Sequence, residues 1–287
     1  VVIKDGAESG QTFSLTTSTD NITGTSGDDI INGVLQDGGL TGTTVAPGDS
    51  IAGGEGDDTL SIAVAGDQSN YTLSAVQTTG VETLAISNFD TDADSTPDLI
   101  VDATLMTGLT TVALTSSSAF GDTSVSSLKN LVDAQMTNGS GDLTVAYQAS
   151  VVTGTSDSQS LALSNVTGGN FTAAGIETVS IASNTTANTL TTLTAAAATT
   201  LNFSGDKNLT VTDDLNATNA AVRTITSTMT GDLSIVENSS TVTATLGAGN
   251  DTYKTSTAVA DTYTVNAGDG EDELSVTAST VLDTALE

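Results

Sequence analysis

The 287-residue chain contains no cysteine, no histidine and no tryptophan, and only 2 prolines and 5 basic residues. Without cysteine there is no disulfide and no thiolate ligand or nucleophile. Without histidine, the Ser-His-Asp and Cys-His mechanisms and histidine-ligated zinc are excluded together. The basic residues, Lys4, Lys129, Lys207, Arg223 and Lys254, are scattered along the sequence, so no phosphate-binding patch and no nucleic-acid partner are expected. No apolar run approaches the roughly 20 residues of a membrane-spanning helix, and no span is expected.

What the chain does hold is acid. Its 35 Asp and Glu residues give a formal charge of −30, although charged residues make up only 14% of the sequence. Repulsion among so many carboxylates opposes a compact state unless cations neutralise some of them. With sulfur and imidazole absent, oxygen donors remain, and oxygen selects a hard cation, calcium or magnesium. Thr, Ser, Gly and Ala are abundant, and β-branched residues recur in alternation, which favours ordered strands over disorder.

One phrase recurs near both ends. It reads Gly24-Thr25-Ser26-Gly27-Asp28-Asp29-Ile30-Ile31-Asn32-Gly33, then Gly53-Gly54-Glu55-Gly56-Asp57-Asp58-Thr59-Leu60-Ser61. Near the C-terminus stand Gly247-Ala248-Gly249-Asn250-Asp251-Thr252-Tyr253 and Gly268-Asp269-Gly270-Glu271-Asp272-Glu273-Leu274. The glycines permit tight turns that aim carbonyl oxygens at one point, and the aspartate adds a charged oxygen from the same loop. An apolar residue two places later starts a short strand. These segments resemble the nonapeptide of the RTX (repeats-in-toxin) proteins, which Gram-negative bacteria export by type I secretion, and within that group the calcium-dependent surface-layer proteins. The resemblance implies Ca2+ held by turns containing Gly27, Asp28, Asp29, Gly53, Gly54, Gly56, Asp57, Asp58, Gly247, Gly249, Asp251, Gly268, Gly270 and Asp272. Family repeats run in tandem, whereas Asp58 follows Asp29 by 58 − 29 = 29 residues and Asp272 follows Asp251 by 272 − 251 = 21. That spacing predicts isolated or paired sites stapling a larger β-structure rather than a long stacked roll.

A further acidic loop, Asp90-Thr91-Asp92-Ala93-Asp94-Ser95-Thr96-Pro97-Asp98, places carboxylates at positions 1, 3, 5 and 9, like the first part of an EF-hand loop. Asp90, Asp92, Asp94 and Asp98 are therefore candidate calcium ligands. Ser95 replaces the turn glycine and Val101 replaces the closing Glu, for which Asp102 could substitute. Asp37 and Asp49 are read as solvated turn residues. The phrase Gly80-Val81-Glu82-Thr83-Leu84-Ala85-Ile86 returns as Gly175-Ile176-Glu177-Thr178-Val179-Ser180-Ile181, 177 − 82 = 95 residues later. Val81, Leu84 and Ile86 should face inward, with Glu82 at a strand edge or in a ladder. Residues 30–54 read as a glycine-rich surface excursion, and 126–136 as a single short helix with Leu128, Leu131, Val132 and Met136 on one face.

Short strands separated by Gly-Asp, Asn or Ser-Asp turns fill residues 140–246, and from Phe203 onward they are often about 10 residues apart, as in sandwiches or solenoids. The expected fold is all-β: a calcium-stapled parallel β-roll or β-helix-like stack with at most one short helix. Three segments follow: 1–61 with the N-terminal strands and calcium loops, 62–246 as a Thr-rich solenoid or sandwich, and 247–287 with the C-terminal calcium motifs. Opening on Val1 without an initiator Met and ending abruptly at Glu287, the sequence is expected to belong to a longer polypeptide. No acid pair stands out for sugar chemistry, so an enzyme is not expected. The resemblance implies an extracellular structural protein of the bacterial surface, exported by type I secretion. It would assemble with itself into an S-layer lattice or filament, and regions outside this sequence would hold cell-surface polysaccharide. The alternative is the stalk of a large RTX adhesin.

Overall fold

A computed structural model describes residues 9–36, 42–66, 71–91, 93, 98–215, 219, 221–237, 242–255, 263–276 and 282–283. Thirteen strands lie parallel, in sequence order, in one long sheet. They are Thr12–Ser14, Ile30–Gln36, Thr59–Gly66, Thr83–Asp90, Thr111–Ser117, Asp133–Gly139, Ser158–Val166, Thr178–Asn184, Thr200–Gly205, Thr224–Ser227, Thr243–Thr245, Tyr263–Asn266 and Leu282–Asp283. Between successive long-sheet strands the chain crosses to an opposite wall and returns. The result is a parallel β-solenoid whose coils run from 30 − 12 = 18 residues (Thr12 to Ile30) to 59 − 30 = 29 (Ile30 to Thr59).

The opposite wall consists of three strips that hand over to one another. The first holds Asn21–Thr23, Ser50–Ala52, Gln77–Thr79 and Met106–Thr107. The second runs through Tyr71–Leu73, Leu99–Asp102, Thr123–Leu128, Leu143–Tyr147, Asn170–Ala173 and Thr192–Thr194. Asn188–Leu190, Leu209–Asp214, Leu233–Val236, Thr252–Thr255 and Glu273–Val276 form the third.

Period-two patterning builds each rung. In Thr59–Gly66, Leu60, Ile62 and Val64 are buried while Thr59, Ser61, Ala63 and Ala65 face out. In-register stacking then converts rungs into columns: Ile31, Leu60, Leu84, Val112, Ala134, Leu161, Ile181 and Phe203 pair consecutively along the long sheet, all buried. Leu73, Val101, Val125, Val145 and Ala173 form a matching column in the second strip. Each fully buried Leu, Ile or Val is worth about 1.5–3 kcal/mol. One coil carries too few of them to fold alone, so stability comes from contact with neighbouring coils.

Two expectations are corrected. Residues 126–136 form no helix but the end of Thr123–Leu128 and the start of Asp133–Gly139. Ser127 takes φ 61°, and the register shifts between Val125 and Leu128, which turns Leu128 into the core out of strict alternation. That bulge makes a strand read with helical spacing. Leu131, counted on the helix face, is exposed. Residues 30–54 are not a surface excursion either. They supply the strands Ile30–Gln36 and Ser50–Ala52, and bury Ile31, Leu35, Val45 and Ile51. Their glycines mask a full coil.

The all-β parallel stack is as expected, and so is the inward set of the recurring phrase. Val81, Leu84 and Ile86 are buried, and the 95-residue recurrence spans four coils, from the rung at Thr83 to the rung at Thr178. Among the described residues, no helix is long and apolar enough to cross a membrane.

Candidate metal-binding turns

The 29-residue spacing between Asp29 and Asp58 is one coil, because Ile30 pairs directly with Thr59. The two N-terminal motifs therefore stack as a pair, one of the two arrangements expected, but within the long stack that their spacing had argued against. Both lie where the chain enters the long sheet. Gln11 donates its backbone N–H to Asp29 Oδ1 at 2.6 Å, Asp29 N–H to Asp58 Oδ1 at 2.7 Å, and Asp58 N–H to Glu82 Oε2 at 2.8 Å. Each acid thus caps the preceding coil. Glu177 repeats the device by accepting the Asp157 N–H at 2.9 Å, so the glutamates of the recurring phrase do belong to ladders. Asp28 and Asp57 point outward and are exposed, with Asp57 N–H donated to Asp28 Oδ1 at 3.0 Å.

Asp29 and Asp58 are both fully buried, yet their environments differ. Burial pushes the Asp29 carboxyl up, but the Thr25 and Gln11 N–H groups and the Thr25 hydroxyl outweigh it and hold the group below the usual carboxylate range. Its second oxygen accepts the Thr25 N–H at 2.5 Å. Asp251 has the same arrangement: Leu233 N–H reaches Oδ1 at 2.8 Å and Gly247 N–H reaches Oδ2 at 3.0 Å. Asp58 lacks the second half. Its Oδ2 is buried without a hydrogen-bond partner. Burial pushes the Asp58 carboxyl above the usual range, and the charges of Asp29, Glu82 and Asp28 add to this against the single Asp29 N–H.

Around that oxygen the turn is built of glycine. A methyl group on Gly53 would collide with both the Asp58 Oδ2 and the Gly80 carbonyl oxygen, and one on Gly24 would meet the Gly53 carbonyl and Asp29 Oδ2. Side-chain-free backbone therefore brings a carbonyl oxygen of the next coil to the space beside each inward carboxylate. Gly54 and Gly56 adopt φ 121° and 115°, where only glycine sits without strain. An orphaned carboxylate oxygen beside carbonyl oxygens, with no nitrogen or sulfur ligand in reach, fits a hard cation. Gly27 donates its N–H to Thr25 Oγ1 at 3.1 Å within the first turn.

The C-terminal pair lies on the other edge, where the chain leaves the long sheet. Asp251 N–H is donated to Asp272 Oδ1 at 2.8 Å, so this pair also stacks coil on coil. Burial raises the Asp251 carboxyl, with Asp272 and Asp232 adding to it against the N–H groups of Leu233 and Gly247. Gly268 and Gly270 take φ 90° and 136°, and side chains on Gly247 or Gly249 would strike the Met229 or Gly231 carbonyl.

The same edge carries an acid ladder that joins Asp98, of the EF-hand-like loop, to two acids that motif searching missed, Asp122 and Asp142. Asp122 N–H is donated to Asp98 Oδ2 at 2.8 Å, Asp142 N–H to Asp122 Oδ1 at 3.0 Å, and Asn170 N–H to Asp142 Oδ1 at 2.7 Å. The Gly-Asp pairs at 121–122 and 141–142 were its only trace in sequence. In the EF-hand-like loop, Asp90 and Asp98 are buried, while Asp92 and Asp94 lie outside the described residues. Asp102, the possible closing ligand, instead caps a 3-10 turn, accepting the Thr104 N–H at 3.0 Å and hydroxyl at 2.6 Å. Asp49 is not a solvated turn residue. It is fully buried and accepts the N–H groups of Asp20 and Ala46 at 2.9 and 2.8 Å. Asp37 lies outside the described residues.

Among the described residues, no group of three or more acidic side chains is placed to hold a metal ion by itself. A cation in these turns would draw on backbone carbonyls. No protein-family model matches the chain, and no curated protein sequence matches it.

Proposed function

We propose that this protein is a calcium-responsive structural protein of the bacterial cell surface that assembles with itself into an S-layer lattice or filament. The observation that carries the reading is the buried, partnerless Asp58 Oδ2 inside a Gly-Gly-x-Gly-x-Asp turn that stacks on a second such turn. A cation there would satisfy the orphaned oxygen and relieve repulsion among Asp58, Asp29, Glu82 and Asp28. Asp58 and the Gly80 carbonyl would be ligands at the N-terminal turns, and Asp251 and Asp272 at the C-terminal ones. Extracellular calcium modules bind in roughly the 0.1–1 mM range. The coils would then stay loose in a calcium-poor cytosol and tighten outside, in keeping with type I export. The net charge of −30 gives calcium a second role, bridging acidic subunits.

The stalk of a large adhesin is the second reading. The uninterrupted coil stack favours it, since about 4.8 Å per coil makes a rigid spacer about 58 Å long. Chelator-treated protein titrated with calcium, with magnesium as control, separates the two by light scattering and electron microscopy. Ordered sheets or filaments that form only with calcium are expected. A calcium-compacted monomer that never associates would transfer the case to the stalk, and a chain indifferent to calcium would overturn both.

A further inference from the structure

The acids of this chain are not spread evenly over its surface. They lie mainly in the turns along the two edges of the solenoid. The outer face of the long sheet is nearly free of charge. Its ranks run in register. One is Ile30, Thr59, Thr83, Thr111 and Asp133. A second is Asn32, Ser61, Ala85, Ala113, Gln135, Ala162, Ala182 and Ser204. A third is Ser158, Thr178, Thr200, Thr224, Thr243 and Thr264. The charged residues at outward register positions of these described strands are Asp133, which accepts a hydrogen bond from the Ser160 hydroxyl, and Asp283, which pairs with Thr264 in the last strand. Two of the large apolar side chains that the protein exposes, Ile30 at 45% and Phe89 at 52%, stand on this face.

On a molecule of charge −30 such a face has a consequence. Two copies meeting through their turn edges bring carboxylates together, whereas copies meeting through the long sheet do not. Small side chains also leave the sheet flat enough for close approach. Thirteen strands at about 4.8 Å spacing, averaging about six residues at roughly 3.3 Å each, span about 58 by 20 Å. That is about 1,100 Å2 per partner, above the roughly 800 Å2 that a stable interface buries on each side.

We propose that the outer face of the long sheet is the surface through which a second copy of this chain docks, sheet against sheet, leaving the acidic turns at the rim. The inference rests on the self-assembly reading above and names its contact. The acidic rims of a docked pair run side by side, where divalent cations can bridge them.

The test compares two double substitutions that add the same charge to opposite walls, Ala85→Glu with Ser180→Glu on the long sheet and Ser124→Glu with Thr172→Glu on the second strip. All four positions are half-buried and outward-facing. In saturating calcium, the concentration at which half the chains associate should rise at least 10-fold for the long-sheet pair and stay near that of the parent chain for the strip pair. Unchanged circular dichroism and melting establish that both fold. Because the chain has no cysteine, spin labels can be placed on Ala162→Cys, in the central long-sheet strand, or on Thr172→Cys. The Ala162 label should give the shorter distance between copies. Equal weakening by both pairs, weakening by the strip pair alone, or a shorter Thr172 distance overturns the docking face while leaving self-assembly standing. A parent chain that never associates overturns the self-assembly reading as well, so the two failures are distinguishable.

Discussion

Asp58 offers the sharpest test, because its two oxygens predict opposite effects for two substitutions. Oδ1 accepts the Asp29 N–H at 2.7 Å, and the residue is fully buried. Asp58→Ala removes that acceptor and strands a buried N–H, a cost of about 1–3 kcal/mol, to which the lost packing adds. At about 2–4 °C per kcal/mol for a chain of this size, melting in chelator should fall by about 5–10 °C. Asp58→Asn keeps an acceptor at the Oδ1 position and removes a charge that burial and the Asp29, Glu82 and Asp28 carboxylates disfavour. In chelator Asp58→Asn should melt at or above the parent temperature. Added calcium should raise the melting temperature of the parent while moving neither variant through this turn, so the order of Asp58→Asn and parent reverses. The assay is thermal melting by circular dichroism, with and without calcium, at neutral pH. An Asp58→Asn protein as unstable as Asp58→Ala in chelator would falsify the claim that the charge is uncompensated there. Full calcium stabilisation of Asp58→Asn would remove Asp58 from the metal site.

Other positions give independent checks. Gly53→Ala, which drives a methyl into the Gly80 carbonyl, should cost about 3 kcal/mol or more, whereas Gly154→Ala, facing only the movable Asp157 carboxylate, should stay within about 0.5 kcal/mol in denaturant melts. Thr78 is fully buried with its hydroxyl oxygen unpartnered, so Thr78→Val should stabilise by about 1 kcal/mol, and a loss of that size would show the hydroxyl to be satisfied. Burial pushes the Tyr147 hydroxyl, which donates to Gln159 Oε1, up to about 12 against the N–H of Val132. Because the folded value lies above the unfolded value near 10, its contribution to stability is complete below about pH 10 and is lost as pH rises towards 12. Burial also raises Tyr71, so absorbance at 295 nm should show a late tyrosine component whose last part, near pH 12, Tyr147→Phe deletes.

Strands were legible where alternation was clean: the short strands expected across 140–246 are there, among them Leu143–Tyr147 and Leu233–Val236. Pairing was not legible, because it joins residues one coil apart and coil length varies from 18 to 29. For that reason the 29-residue spacing of Asp29 and Asp58 read as evidence against a long stack, although it is one coil. The helix expected at 126–136 came from a bulge at Ser127, where a positive φ breaks period two locally. The inward acids were visible as residue types, but what each oxygen meets depends on neighbouring coils. Asp29 and Asp251 gain a donor four residues back, and Asp58 in a nearly identical phrase does not. Asp122 and Asp142 escaped notice because a Gly-Asp pair by itself is an ordinary turn, and nothing in the sequence tied them to Asp98.

The Gly-x-Gly-x-Asp turns occupy the first coils on one edge and the last coils on the other, with unadorned coils between them. In a one-dimensional stack each coil is held by its immediate neighbours alone. Tension that peels one of these coils away must therefore part the bonds between stacked turns, Asp29 N–H to Asp58 Oδ1 or Asp251 N–H to Asp272 Oδ1. An ion bound at either place would act as a latch, so the force needed to part those coils would follow the calcium concentration, while the coils between keep the same strength with or without it.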